Sequence, residues 1–310
     1  MFKKIIFGFG FLVILGALFL ASVLLPPHLQ IREITPQLPT KAELEDLIGV
    51  DSGPVKLSYF ITSSQDVGRG SLAHTTFVVE WADGNIFLID LGMDAAGAVK
   101  FGELIQKLGD AETAVSHGTV PSLMGQQIER VSGLGFTHLH VDHVQGIQAV
   151  CESKASDTKR LIALHTSDQF GIHNLHTADQ SELLKNSACV QQIELADSVN
   201  SSLQFPGLGI YPLGGHTPGS TLFAIPIENK LWLLSGDITN TKKDLVENNA
   251  KGLIYSYVIV PENVKRQEQL RVWLAALDAQ RNISVVVSHD AKALIKSGVS
   301  KWAPPKNNER

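Results

Sequence analysis

Cysteine and basic residues are both scarce in this chain of 310 residues. It has only two cysteines and no Cys-x-x-Cys pair, which excludes a disulfide-dense scaffold and a structural zinc knuckle. Lysine and arginine number 26 against 31 aspartates and glutamates, a formal charge of −5, so the basic surface typical of nucleic-acid binding is missing. Intrinsic disorder is excluded because 44% of the residues are hydrophobic and only 18% are charged. We therefore expect a globular protein that does not bind nucleic acid.

Long hydrophobic runs are also missing, except for one at the N-terminus. Residues 5–25 form an uncharged run of 21 residues that follows Lys3 and Lys4. A helix of that length, rising about 1.5 Å per residue, would cover roughly 30 Å, the thickness of a bilayer core. We predict that residues 1–27 anchor the chain in a membrane and that the rest is exported to the periplasmic or extracellular side. A cleaved signal peptide that releases a secreted protein is the alternative.

The exported part is more acidic than the whole chain. Removing Lys3 and Lys4 from 26 basic residues leaves 24 against 31 acidic ones, a net charge of −7. In an oxidising compartment Cys151 and Cys189 can form a disulfide, and two separate buried thiols are the alternative. Both alternatives remain open at the level of sequence.

Short apolar runs organise the remaining chain. Residues 28–54 are predicted to be a stalk, residues 55–300 a single domain, and residues 301–310 a loose polar tail. Two similar segments, 85–90 and 230–237, each lead an apolar strand into an aspartate. This suggests two halves with strands inside and helices outside, a four-layered αββα sandwich of the α/β class. Strand patterns cover 56–61, 75–81, 86–90, 161–165, 192–195, 208–213, 221–227, 230–234 and 283–287, and helical patterns cover 98–108 and 263–280.

A dense group of histidines indicates the chemistry. His138, His140, Asp142 and His143 fall within six consecutive positions. In an extended segment residues two apart share one side, so His138 and His140 can bind one ion. A turn into a following helix would bring Asp142 and His143 to a second ion. Neutral imidazole nitrogens and carboxylate oxygens suit a borderline divalent metal.

This His-x-His-x-Asp-His motif resembles that of the metallo-β-lactamase superfamily, and three later segments extend the resemblance. His216 lies in a Gly-Gly-His-Thr-Pro-Gly segment, Asp237 follows Leu-Ser-Gly, and His289 lies in Val-Ser-His-Asp. The resemblance spans about residues 56–292. It implies the αββα sandwich and a binuclear centre with two divalent ions, for which zinc is preferred and iron or manganese are alternatives.

The resemblance also implies a role for each side chain. The first ion would be held by three histidines, which are His138, His140 and His216. The second would be held by Asp142, His143 and His289. Asp237 would be shared between the two ions. Asp90, at the end of an apolar strand, matches the first motif of the family, whose carboxylate supports a metal-bound histidine. A plain strand-ending aspartate is the alternative reading of Asp90.

The activity implied by the resemblance is hydrolysis of a small-molecule substrate. Two ions would activate a bridging hydroxide that attacks an ester-like carbonyl, and Asp142 would orient it or move a proton. The retained His140 disfavours electron transfer, because redox members carry glutamate there, and Asp237 is unlike the typical β-lactamase site. Lactone or thioester bonds are favoured from similarity to lactonases and glyoxalase II-like members, although Asn240 stands where lactonases often have tyrosine.

Three alternatives are kept beside this prediction. A phosphodiesterase or a β-lactamase could use the same ligands, and a metal-dependent binding protein without activity is an alternative of another class. The sequence gives no information about the oligomeric state. The other histidines, including His74, follow no ligand spacing and are given no role, while Tyr255 and Tyr257 are expected on one face of a strand.

Overall fold

The computed structural model describes residues 2–68, 70–154, 159–169, 175–195 and 202–303. Most of the predicted tail, residues 304–310, lies outside them. The strands are β1 (Pro54–Val67), β2 (Gly70–Trp81), β3 (Ile86–Ile89), β4 (Val115–Ser116), β5 (Val131–Gly135), β6 (Leu161–His165), β7 (Val190–Glu194), β8 (Gly209–Pro212), β9 (Thr221–Ile227), β10 (Lys230–Leu234), β11 (Ile283–Val286) and β12 (Ser300–Lys301). The helices are α1 (Phe2–Glu33), α2 (Lys41–Glu45), α3 (Ala95–Leu108), α4 (Val120–Met124), α5 (Val141–Val144), α6 (Ile147–Ser153), α7 (Leu175–Lys185), α8 (Lys242–Glu247), α9 (Val264–Asp278) and α10 (Ala291–Lys296).

The strands form two sheets that face each other. The larger sheet has the order β12-β1-β2-β3-β5-β6-β7, with β4 paired to β1, and the smaller has the order β11-β10-β9-β8. Strands β3, β5, β6 and β7 are parallel, and so are β10 and β11. Because the carboxyl ends of parallel neighbours lie at one edge of a sheet, the residues that follow β3 and β5 meet there.

Three apolar clusters show the layers. Phe77 and Phe87 of the larger sheet pack with Phe223 of the smaller sheet in a core between them. A second cluster covers the outer face of the larger sheet and includes Ile147 of α6. A third covers the outer face of the smaller sheet and includes Leu270 of α9. The predicted α/β sandwich with helices outside two central sheets is confirmed.

The predicted stalk lies against the domain. Helix α1 continues past the prolines that end the apolar run and reaches Glu33, with Ile31 fully buried. Helix α2 starts with a capping box, in which the Thr40 side chain accepts from the Glu43 amide, and its Leu44 enters the core outside the smaller sheet. By length and composition, residues Ile14–Glu33 of α1 could cross a membrane.

The two cysteines form a disulfide, which decides the alternative that the sequence left open. Cys151 of α6 and Cys189, just before β7, have Cα atoms 5.3 Å apart. The bond joins helix α6 to the start of β7, the edge strand of the larger sheet. In the sequence, α6 precedes α7 and β7 follows it.

The prediction that Tyr255 and Tyr257 lie on a strand is wrong. Residues Tyr255–Ile259 form a single π-helical turn. Successive residues of a helical turn point in different directions, so Tyr257 is exposed while the ring of Tyr255 lies 5.0 Å from Lys251 Nζ.

Candidate metal centre

The centre is built where strands end. Asp90 follows β3, the histidine motif follows β5 and opens α5, Asp237 follows β10, and His289 follows β11. Asp237 is reached through Gly236, whose φ is +60° and whose missing Cβ would lie 2.8 Å from a Thr137 side-chain atom. A residue with a side chain would be strained there, so this glycine lets Asp237 approach the motif.

All seven predicted ligands converge in one buried cluster. His140 Nδ1 lies 3.0 Å from His138 Nε2 and 3.2 Å from His216 Nε2. On the other side, His289 Nε2 lies 3.0 Å from Asp237 Oδ2 and 3.4 Å from Asp142 Oδ2. Asp237 lies between the two sides.

Possible ligand atoms within 4.8 Å of one another form three groups in the described residues. They are His138, His140 and His216; His138, His143 and Asp237; and His74, Asp142 and His289. The first group has the composition predicted for the first ion. The third pairs two predicted ligands of the second ion with His74, a residue that sequence reasoning left without a role.

His74 enters the cluster from β2. Its Nδ1 is 2.9 Å from Ser63 Oγ, and its Nε2 faces Asp142 Oδ2 at 3.8 Å. Burial lowers the pKa of His74 to about 3, so the imidazole is neutral at pH 7. The sequence offered no signal for this residue because it lies alone in an ordinary strand pattern.

Asp90 contacts the histidine motif from the end of β3. Its carboxylate accepts hydrogen bonds from the Thr137 amide at 2.8 Å and the Thr137 hydroxyl at 2.7 Å. His143 Nδ1 lies 2.8 Å from the same carboxylate, which leaves His143 Nε2 directed at the cluster. Asp90 has a left-handed φ of +57°, a conformation that aspartate tolerates better than most residues.

Glu262 is a functional residue that sequence reasoning missed. Its Oε1 lies 2.6 Å from His216 Nδ1, and its Oε2 accepts from Ser256 Oγ at 2.6 Å. Lys251 Nζ donates to Glu262 at 3.0 Å and to the Asp237 carbonyl oxygen at 2.5 Å. Burial opposes ionisation, but Lys251 and the His216 and Ser256 hydrogen bonds together lower the pKa of Glu262 to about 2. An ionised Glu262 therefore orients His216 at physiological pH.

The electrostatics of the cluster favour a cation. Burial lowers the pKa of His143, but the carboxylates of Asp90, Asp142 and Asp237 raise it more, to about 10. Negative charge thus surrounds a buried imidazole. His143 Nε2 and Asp237 Oδ1 are buried and have no hydrogen-bond partner among the described residues, as is also true of His74 Nε2. Polar atoms in this state are costly unless a ligand binds them, so the residues fit divalent metal ions.

Glu262→Gln is expected to weaken metal binding by about 10- to 100-fold, because the amide removes the charge that orients His216. The measurement is a competition titration with a chromophoric chelator on the purified protein. Glu268→Gln, on the exposed side of α9, is the matched control and should bind like the wild type. Equal affinities in both variants would show that Glu262 does not act through His216.

Fold and site together define an αββα domain with a buried cluster of histidines and aspartates suited to divalent metal. The sequence model of the metallo-beta-lactamase superfamily matches residues 69–156, which include Asp90 and the histidine motif. The resemblance to that superfamily is therefore confirmed. No curated protein sequence matches the chain.

Solved structures show the same fold at low identity. An N-acyl homoserine lactone hydrolase with N-hexanoyl-L-homoserine bound at its catalytic metal centre is 15% identical, with a TM-score of 0.57 over 79% of this chain and 96% of that chain. AiiA of B. thuringiensis, as a variant with N-decanoyl-L-homoserine at its active site, has a TM-score of 0.56 at 15% identity over 79% and 96%. A probable metal-dependent hydrolase from Staphylococcus aureus has a TM-score of 0.53 at 15% identity over 77% and 91%. The superfamily match and the donor set support a metal-dependent hydrolase.

Proposed function

We propose that the protein is a membrane-anchored, exported metallohydrolase with two divalent ions, acting on a lactone or thioester carbonyl. The observation that carries this proposal is the convergence of seven histidines and aspartates from four strand ends in one buried cluster. Ester-like substrates are favoured because one structural relative is an N-acyl homoserine lactone hydrolase with its product bound, and another has N-decanoyl-L-homoserine bound at its active site.

The chain supplies separate donor sets for two ions. His138, His140 and His216 would hold the first, Asp142, His143 and His289 the second, and Asp237 would be shared. His74 Nε2 lies on the side of the second set and offers a further neutral nitrogen. Zinc is the preferred metal, with iron or manganese as alternatives. When bound, such a pair of ions lowers the pKa of a water and polarises a carbonyl oxygen.

The remaining chemistry belongs to the protein. Asp142 lies within the cluster, 3.4 Å from His289 Nε2, and its carboxylate can orient an attacking water or pass a proton to the leaving group. Asp90 and Glu262 hold His143 and His216 in one orientation through their Nδ1 atoms. The burial of the cluster keeps bulk water away from these side chains, which strengthens the charge interactions among them.

Anchoring and export are supported by two features. The uncharged run of residues 5–25 is long enough to span a bilayer and lies in helix α1, and the Cys151–Cys189 disulfide suits an oxidising compartment. Recovery of the protein in a soluble fraction, beginning near His28, would show instead that the segment is cleaved as a signal peptide.

A substrate panel tests the function. We expect the full-length protein in phosphatidylcholine nanodiscs to hydrolyse a lactone or thioester faster than a phosphodiester or β-lactam, and chelation to remove the activity. Full activity after metal removal would overturn the mechanism. Binding of two metal equivalents without turnover of any substrate would favour a metal-dependent binding protein instead.

A further inference from the structure

An exposed apolar surface lies beside helix α1. Within six residues four side chains are exposed: Leu253 (76%), Ile254 (72%), Tyr257 (47%) and Val258 (54%). We call these four residues the apolar shoulder. Exposed apolar side chains that cluster on a surface are typical of interaction sites, so the shoulder is a candidate contact surface.

Contacts with helix α1 define the position of the apolar shoulder along the axis of that helix. His28 Nε2 is 3.0 Å from the Tyr257 carbonyl oxygen, and the two rings have centroids 5.5 Å apart. Ile31, one turn further along, is buried against the domain, and its carbonyl accepts from the Asn263 side chain at 3.4 Å. His28 comes three residues after the end of the apolar run at Leu25, about 4.5 Å along the helix axis. The shoulder is therefore level with the end of the apolar run.

The chemistry of the shoulder suits the surface of a bilayer. If residues 5–25 span the hydrocarbon core, the headgroup boundary lies beside the shoulder, and tyrosine is enriched at that boundary. Leucine, isoleucine and valine side chains enter the boundary between headgroups and acyl chains. No acidic residue occurs from Lys251 to Val260, in a chain that is acidic elsewhere.

The segment that forms the shoulder also borders the metal centre. Ser256, between shoulder residues, donates to Glu262, which orients His216. Tyr255 turns the other way, toward Lys251, whose ammonium donates to the Asp237 carbonyl oxygen. Burial raises the pKa of the Tyr255 phenol, and the carboxylates of Glu262, Asp237 and Asp142 raise it further. A single helical turn thus separates the shoulder from the centre.

We propose that Leu253, Ile254, Tyr257 and Val258 insert into the boundary region of the bilayer that α1 crosses, so that the metal centre faces the membrane surface and takes acyl-chain substrates from it. The membrane contact rests on the proposed anchoring through residues 5–25 together with the contact between α1 and the shoulder. The substrate class rests on the proposed hydrolase function.

Quenching by brominated lipid tests the contact. The full-length protein is reconstituted into phosphatidylcholine vesicles with and without brominated acyl chains, and tryptophan is introduced as Ile254→Trp or, as a control, Val272→Trp on the exposed face of α9. After subtraction of the wild-type signal, quenching at position 254 should exceed that at position 272 by at least about twofold. Equal quenching would overturn the proposal, as would self-association of the chain through this surface.

A second experiment tests the substrate class separately. We expect the combined change Leu253→Ser and Ile254→Ser to lower hydrolysis of a decanoyl thioester in vesicles by about tenfold and to leave hydrolysis of a water-soluble acetyl thioester unchanged. The control Val272→Ser should change neither rate. Equal loss on both substrates, or no loss on either, would overturn delivery from the membrane. If the wild type hydrolyses no substrate, the proposed function fails, while quenching still decides the membrane contact.

Discussion

Asp237→Asn is expected to abolish hydrolysis and to remove at least one of two metal equivalents. Asparagine has nearly the same shape but lacks the charge, and Asp237 is the carboxylate that lies between the two sets of histidines, 3.0 Å from His289 Nε2 and 3.8 Å from His216 Nε2. Loss of a residue that only supports a ligand costs about 10- to 100-fold, so the loss of a shared ligand should exceed about 100-fold.

Metal content after dialysis and the rate on the best substrate of the panel measure this effect. Asp51→Asn, in an exposed turn, is the control and should keep both metal and activity. Circular dichroism should show that Asp237→Asn keeps the fold, because none of the three apolar clusters includes Asp237. A variant with two metal equivalents and undiminished activity would contradict the assignment of Asp237.

Asp90→Ala is expected to lower the free energy of unfolding by about 3–5 kcal/mol in the metal-free protein. The change leaves the Thr137 amide without its buried acceptor and removes the carboxylate paired with His143. Alanine is also strained at the left-handed φ of +57°. Urea unfolding of the metal-free protein measures this loss of stability. The control is Asp66→Ala, which replaces an exposed aspartate on β1.

Asp90→Asn separates the effect of Asp90 on the orientation of His143 from its effect on the free energy of unfolding. Asparagine tolerates the left-handed backbone and can still accept from Thr137, so we expect most of the stability to return. Metal affinity should stay about 10-fold or more below the wild type, since the charge that orients His143 is absent. Recovery of both properties in Asp90→Asn would show that the residue serves only the fold.

The metal centre was predictable to the extent that local spacing encodes it. His138, His140, Asp142 and His143 lie in one short segment, so the alternation of an extended chain and the turn of α5 suffice to bring them together. His216, Asp237 and His289 could be assigned only by resemblance to a family, because nothing local connects them. In the structure they meet the motif because the segments that follow β8, β10 and β11 lie near the end of β5.

The missed residues lack any local pattern. Glu262 reads as a polar residue just before helix α9, and only the packing of that segment beside His216 makes it a partner of the centre. His74 reads as one histidine in a strand, and the pairing of its neighbour Ala73 with His289 brings it to the cluster. Tyr255 and Tyr257 were predicted on one strand face because an apolar run of that length cannot be distinguished from a short helical turn.

The sequence by itself determined the apolar helix, the alternation of strands and helices, and the first four metal-ligand candidates, because each of these depends on residues close together in the chain. Tertiary structure alone decided that Cys151 pairs with Cys189, that Glu262 and Lys251 support His216 and Asp237, and that the apolar shoulder lies beside α1. These contacts join segments distant in sequence. Their spacing carries no periodic signal, and only the packing of the two sheets and their helices brings them within bonding distance.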